Sequence, residues 1–164
     1  MIRIGFGYDI HQFARDRKLV LGGIAIPFEL GLQGHSDADV LIHAICDALL
    51  GAAALGDIGR HFPDNDVRYK DISSLSFLIT VKNLLEAERY EIVNLDATVV
   101  LERPRIAPYV SAMRESIAEA LDIEMARVSV KATTSEGLGA LGRSEGCAAH
   151  AVAALQLVNT IHPG

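Results

Sequence analysis

A two-layer α+β domain, with a four-stranded mixed β-sheet covered by helices on one face, is the fold the sequence predicts. Three observations lead there. Four segments are extended in pattern, four carry helical composition or period, and no linker, repeat or low-complexity tract divides them. The 164 residues suit a single domain over 1–164, a size that buries about two thirds of the unfolded chain's surface.

In chain order, residues 2–13 alternate loosely and residues 18–27 ("KLVLGGIAIP") are extended around a Gly22-Gly23 break, so both read as early strands. Residues 36–55 begin with Ser36 as N-cap and Asp39 three positions on, then run into strong helix formers, which predicts a mostly buried helix. Residues 56–74 are rich in Gly, Pro, Asp, Asn and Ser and are long for a connection; they are expected to form a mobile functional flap. Residues 75–90 have helical period, 92–101 are rich in β-branched residues, and 108–121 open on a proline suited to a helix's first turn. Residues 127–134 alternate as a strand, and 144–161 ("SEGCAAHAVAALQLVNTI") read as a final helix capped at Ser144, with Glu145 in its first turn. With helices on one face of the sheet, the other face needs a partner.

Composition narrows the function. Half of the residues are hydrophobic and 22% are charged, as in a globular protein, and no apolar run reaches the length of a membrane span. Fifteen basic against twenty-one acidic residues give a charge of −6, which argues against a nucleic-acid surface. Cys46 and Cys147 have no CxxC spacing, so neither a disulfide framework nor a thiolate zinc site is expected. The opening "MIRIGFGY" lacks the features of a secretory signal, so a cytoplasmic location is expected.

On a strand, positions i and i+2 point to one side, so Asp9 and His11 present an oxygen and a nitrogen together while Ile10 faces away. Such a pair is half of a metal site. Asp39, His43 and Asp47 follow at i+4 spacing as a polar stripe on an otherwise apolar helix, where burial would be expensive without a function. Two histidines, one aspartate and an open fourth position suit a zinc that binds water or substrate. By spacing alone the third ligand is His35, His43 or His61. A second cluster, residues 131–146, sets Thr133, Thr134, Glu136 and Arg143 among glycines, a composition able to hold phosphate. Its Gly137, Gly139 and Gly142 spell G-x-G-x-x-G, yet no acidic residue follows Glu145 to bind a ribose, so the dinucleotide reading fails. There is no G-x-S-x-G elbow and no P-loop. His150 and His162 read as structural or solvated.

The blocks "GYDIHQF", "LGGIAIP", "GLQGHSDADVLIHAICDALLGAAALGDIGRHFPDND", "LERPRIAP", "MRESIAEAL" and "VSVKATTSEGLGALGRSEGCAAHAVAAL" occur in order over residues 3–157. Together they closely resemble the 2-C-methyl-D-erythritol 2,4-cyclodiphosphate synthase family. The resemblance implies a ferredoxin-like sandwich whose open face turns towards a homotrimer core, with active sites between subunits. It implies a phosphorus–oxygen lyase of the non-mevalonate isoprenoid pathway, which cyclises 4-diphosphocytidyl-2-C-methyl-D-erythritol 2-phosphate and releases CMP. Matched position by position, Asp9, His11 and His43 would bind zinc, and Glu136 a second divalent ion, magnesium or manganese. His35, Ser36 and the loop Phe62, Pro63, Asp64, Asn65 and Asp66 would contact the methylerythritol phosphate, and Asp57, Ile58 and Gly59 would lie at the ribose. Backbone groups of residues 101–107, with Leu101, Pro104, Arg105, Ile106 and Ala107, would frame the cytosine, while Thr133 and Thr134 would steady the phosphates from the neighbouring subunit and Ser135, Glu136 and Arg143 would also bind substrate. Thr134 and His35 would join the metal-binding residues in catalysis. Arg105 stands where the family usually has lysine, and Ala140 and Leu141 replace what is in some members a bulkier residue near the trimer axis. The rival readings are a zinc-dependent phosphohydrolase acting on a nucleotide diphosphate and a non-enzymatic trimeric metal- and nucleotide-binding module.

Overall fold

The computed structural model describes residues 1–63 and 65–158. Strand β1 (Ile2–Ala14) is followed by β2 (Leu19–Leu21), β3 (Ile24–Ile26) and the two-residue β4 (Gly31–Leu32). Helix α1 (Val40–Ala53), the one-turn α2 (Ile58–His61), a tight helical turn at Val67–Tyr69 and α3 (Ser74–Ala87) come next. They are followed by β5 (Tyr90–Val100), α4 (Val110–Leu121), β6 (Val128–Thr133), the one-turn α5 (Gly139–Gly142) and β7 (Gly146–Leu157). The main sheet has the order β4-β1-β7-β5-β6, antiparallel except where β5 and β6 run parallel across the α4 crossover. Strands β2 and β3 form a separate hairpin. Helix α1 lies on β1 and β7, α4 covers β6, and α3 packs against both helices. Among the described residues, no helix is long and apolar enough to cross a membrane.

The predicted class is the observed one, a mixed sheet with helices on one face, although short β4 adds a fifth strand to the four long ones. Three expectations are overturned. Residues 18–27, read as a strand of the sheet, fold on themselves at Gly22-Gly23 into the separate β2–β3 hairpin. The segment read as a C-terminal helix is β7, paired on both sides, with β1 and with β5; residues 159–161 of that reading, and His162, lie outside the described residues. Its alanines favour a helix in isolation, but Cys147, Ala149, Ala151, Ala153 and Leu155 alternate inward beneath α1, and two ladders of hydrogen bonds override local propensity. Ser144 therefore caps nothing; it turns the chain at φ +58° just before the strand. The N-cap of α1 is Asp39, not Ser36: its carboxylate accepts the Ile42 N–H at 3.1 Å.

Asp39 does more than cap. Fully buried, it also accepts the N–H groups of Gly22 (3.0 Å) and Gly23 (2.7 Å), which take positive φ angles of 59° and 76° to aim both amides at one carboxylate. Burial pushes its carboxyl up to about 6 against these hydrogen bonds, and the charge of Asp37 adds to the rise. The β2–β3 hairpin is thereby tied to the start of the central helix.

The decisive packing contact is between α1 and β1. A Cβ at Gly5 would lie 1.9 Å from the Ala48 carbonyl oxygen, and one at Gly7 would lie 1.9 Å from that of Ala44. Helix backbone thus rests almost directly on strand backbone, which only glycine on the strand and alanine on the helix permit. On the other face Ile4, Phe6, Tyr8 and Ile10 project outward, with Phe6 63% exposed. Gly7→Ala should destabilise the protein by about 3 kcal/mol or more, since backbone cannot yield as a side chain can. Gly51→Ala, whose added methyl meets nothing nearer than 3.9 Å, should be neutral or stabilise by about 0.5–1 kcal/mol. Urea unfolding of the two variants checks the contrast; equal effects would contradict the packing account.

Candidate metal centre and adjoining cleft

Because Gly5 and Gly7 bring α1 so close, the next inward residues of β1, Asp9 and His11, meet the first turn of the helix at His43. Asp9 Oδ2 lies 2.9 Å from His11 Nε2 and 2.9 Å from His43 Nδ1, and the two ring nitrogens are 3.2 Å apart. Among the described residues this is the one group of three or more His, Cys, Asp or Glu side chains close enough to share an ion. Burial alone would raise the Asp9 carboxyl, but hydrogen bonds and charge from His11 and His43 outweigh it and hold it well below the usual carboxylate range. The second nitrogen of His11, Nδ1, donates to the Gln33 carbonyl at 2.7 Å, which leaves Nε2 facing the group.

The donor set fits a small divalent ion. A tetrahedral zinc with bonds of about 2.0–2.1 Å keeps its ligand atoms about 3.3 Å apart, so an ion requires the three atoms to spread by only a few tenths of an ångström. Around His43 a further set of groups is ordered. Its Nε2 lies 2.9 Å from Ser74 Oγ and 3.3 Å from Ser36 Oγ, and the Ser74 hydroxyl donates to Asp37 Oδ1 at 2.5 Å.

The three atoms open onto a cleft of about 220 Å³, which His35, Ser36, Ile58, Gly59 and Phe62 also line. Its outer wall is the segment read as a flap. Asp57 caps α2 by accepting the Arg60 N–H (2.9 Å), and Asp47, half buried, accepts the Ile58 N–H (2.7 Å). Burial raises the Asp47 carboxyl, and the charges of Asp57 and Asp9 add to that. His35 Nε2 donates to the Asp66 carbonyl (3.0 Å) and Phe62 stacks on Phe77 at 4.4 Å, with Tyr69 edge-on to both. The helical stripe therefore divides: His43 and Asp47 face the cleft, whereas Asp39 serves the hairpin. His61 is turned to the Leu55 carbonyl, away from the triad. Pro63, Asn65 and Asp66 continue the same segment, and Asp64 lies outside the described residues.

The second predicted cluster is elsewhere on the chain. The Leu101 N–H donates to the Thr133 carbonyl (3.1 Å), which seats the 101–107 loop, with Pro104, Arg105, Ile106 and Ala107, against the end of β6. Glu102, overlooked in the sequence, accepts the N–H groups of Ser135 (2.9 Å) and Gly137 (3.3 Å) and holds Glu136 between them at φ +51°. Thr134 Oγ1 donates to Glu136 Oε1 (3.1 Å), and Arg143 pairs with Glu145 (2.6 Å). None of these residues lines the cleft within the chain. His150, expected on a helix, lies on the outward face of β7 beside the Tyr8 ring at 4.9 Å. Asp37, Ser74, Tyr69 and Phe77 were also missed: each acts across the fold, and nothing in sequence separation links them to the triad.

Fold and site together define an α+β protein with a three-donor metal cradle beside a small cleft. Comparison with known proteins makes this specific. Residues 2–156 match the model of the YgbB family, and the chain belongs to that family. A relative from Prosthecochloris aestuarii, named 2-C-methyl-D-erythritol 2,4-cyclodiphosphate synthase, is 62% identical over 155 residues, covering 94% of this chain and 99% of that protein. Among solved structures, the bifunctional IspDF of Campylobacter jejuni superposes with a TM-score of 0.94 at 40% identity, covering 97% of this chain, which corresponds to 43% of that longer one. The Plasmodium falciparum IspF–CDP complex superposes with a TM-score of 0.84 at 34% identity, covering 96% of this chain and 97% of that chain.

Removing the aromatic stack should free the outer wall. In Phe62→Ala, loss of a buried phenyl weakens local closure by about 3 kcal/mol, so amide exchange at residues 58–61 and 67–69 should accelerate at least tenfold. Unchanged exchange there would show that hydrogen bonds alone hold the segment.

Proposed function

We propose that this protein, as one domain over residues 1–164, cyclises 4-diphosphocytidyl-2-C-methyl-D-erythritol 2-phosphate to the 2,4-cyclodiphosphate with release of CMP, in the non-mevalonate isoprenoid pathway. The observation that carries this reading is the convergence of Asp9 Oδ2, His11 Nε2 and His43 Nδ1 within 3.2 Å in a chain of the YgbB family. The relative's name and the CDP bound to the falciparum protein support it. Asp9, His11 and His43 would hold zinc, and Glu136 a second cation, magnesium or manganese; bound cations there supply charge neutralisation and polarise phosphoryl oxygens.

The protein's own task is positioning. His35 and Ser36, on the cleft wall, bind the methylerythritol phosphate together with Phe62, Pro63, Asp64, Asn65 and Asp66. Asp57, Ile58 and Gly59 take the ribose. Leu101, Pro104, Arg105, Ile106 and Ala107 frame the cytosine, and Thr133, Thr134, Ser135 and Arg143 hold phosphate oxygens. The substrate's 2-phosphate oxygen bonds to the β-phosphorus while the bond from that phosphorus to the CMP oxygen breaks, so no protein nucleophile is needed. Holding the substrate folded makes the attack effectively intramolecular. The two clusters of site residues are separate within the chain, and Ile4, Phe6, Tyr8 and Ile10 leave one sheet face apolar and exposed. Both features support a homotrimer with each active site shared between neighbours. We place the enzyme in the cytoplasm, with no nucleic-acid or membrane partner.

Incubation with the diphosphocytidyl substrate, zinc and magnesium should yield a cyclic diphosphate by phosphorus NMR. A linear phosphorylated product plus CMP would favour the phosphohydrolase, and no turnover would favour the binding module. His43→Ala should lose zinc and cyclisation with the trimer intact; turnover by this variant free of metal would overturn the ligand assignment. Glu136→Gln should keep its zinc but respond weakly to added magnesium or manganese, as a metal titration of activity would reveal.

A further inference from the structure

The groups behind His43 have a consequence of their own. Ser74 is fully buried as the first residue of α3, and Asp37 grips it twice. Asp37 Oδ2 accepts the Ser74 N–H at 3.0 Å and Oδ1 accepts its hydroxyl proton at 2.5 Å. Asp37 therefore caps α3 from 37 positions away, while Ser73, the residue at the cap position, makes no side-chain cap bond.

An ionised carboxylate can only accept, so the Ser74 proton points to Asp37 and the Ser74 oxygen presents a lone pair to His43. His43 Nε2, 2.9 Å away, must then be a protonated, donating nitrogen. That leaves Nδ1, directed at Asp9 Oδ2 (2.9 Å) and His11 Nε2 (3.2 Å), as the nitrogen able to present a lone pair to a cation. We propose that Asp37 and Ser74 are positioning residues that set the His43 tautomer, so that the ring offers its Nδ1 lone pair to the metal. This rests on the metal-site reading above. Ser36 Oγ, 3.3 Å from the same nitrogen, is the weaker second acceptor.

The arrangement makes an asymmetric prediction. In Asp37→Asn the carbonyl oxygen can keep the Ser74 N–H, but the amide then donates to Ser74 Oγ. The serine proton is turned towards His43 Nε2, and the imidazole proton is driven to Nδ1, where it blocks the ligand position. The hydroxyl and the histidine are both still present, so a purely structural role for Asp37 would not produce this switch.

The test uses the full chain, first metal-free, with ¹⁵N side-chain shifts reading which His43 nitrogen carries a proton, and then in a zinc titration. Wild type should show Nε2–H. Asp37→Asn should shift to Nδ1–H and bind zinc about 10–100-fold more weakly, the range for loss of an outer partner of a metal-binding histidine. Ser74→Ala should show mixed tautomers and about tenfold weaker binding. An unprotonated Nε2 in metal-free wild type would overturn the proposal even if a variant fails to fold, as would wild-type tautomer and affinity in either folded variant. Absence of zinc binding by wild type would instead count against the metal reading, while the tautomer measurement would still judge the relay.

Discussion

The rest of the structure depends on how closely α1 approaches β1. Gly5 and Gly7 leave no side chain on the strand where the carbonyls of Ala44 and Ala48 arrive, and each position would clash at 1.9 Å with even a methyl group. The contact sets depth and register together. His43 sits one residue before Ala44, and Asp9 lies two residues beyond Gly7, so the same contact that packs the core also brings strand and helix donors to 2.9 Å. A looser helix would preserve the fold class and lose the site, because three donor atoms cannot share one ion from several ångströms apart.

Around this contact, charge is arranged in a few local places rather than spread over the surface. Asp39, buried beside the hairpin amides, and Asp37, gripping Ser74, occupy the short loop between β4 and α1, and each fixes a different element relative to the helix. Asp9 then faces two imidazoles, whose hydrogen bonds and charge keep its carboxyl low despite burial. A chain of net charge −6 is thus compatible with an anionic substrate, since a cation held by the triad and backbone amides at the loops would meet the phosphates locally.

Much of this was legible in the sequence, and the failures have identifiable causes. The i, i+2 pair Asp9 and His11 was readable because a strand's pleat fixes which side chains share a face. The choice among His35, His43 and His61 was not readable, since it depends on where α1 lands. The spacing that governs the landing is present in the letters, with glycines at 5 and 7 opposite alanines at 44, 48 and 52. It gains meaning only once strand and helix are known to be neighbours. Residues 144–161 misled for a related reason. An alanine-rich run suits an isolated helix, but alanines are also what a central strand needs beneath a closely packed helix, and residues 146–157 form that strand. Asp37 and Ser74 carry no local signal at all, for their partnership is purely tertiary.

The central claim is that packing delivers a preformed metal cradle. Anomalous diffraction at the zinc edge from crystals of the protein grown with and without zinc tests it most directly. The account predicts one ion per chain, bonded to Asp9 Oδ2, His11 Nε2 and His43 Nδ1, with α1 and the His43 ring unmoved between the two crystals. An ion held by other residues, or a His43 ring that must rotate to present Nε2, would contradict it.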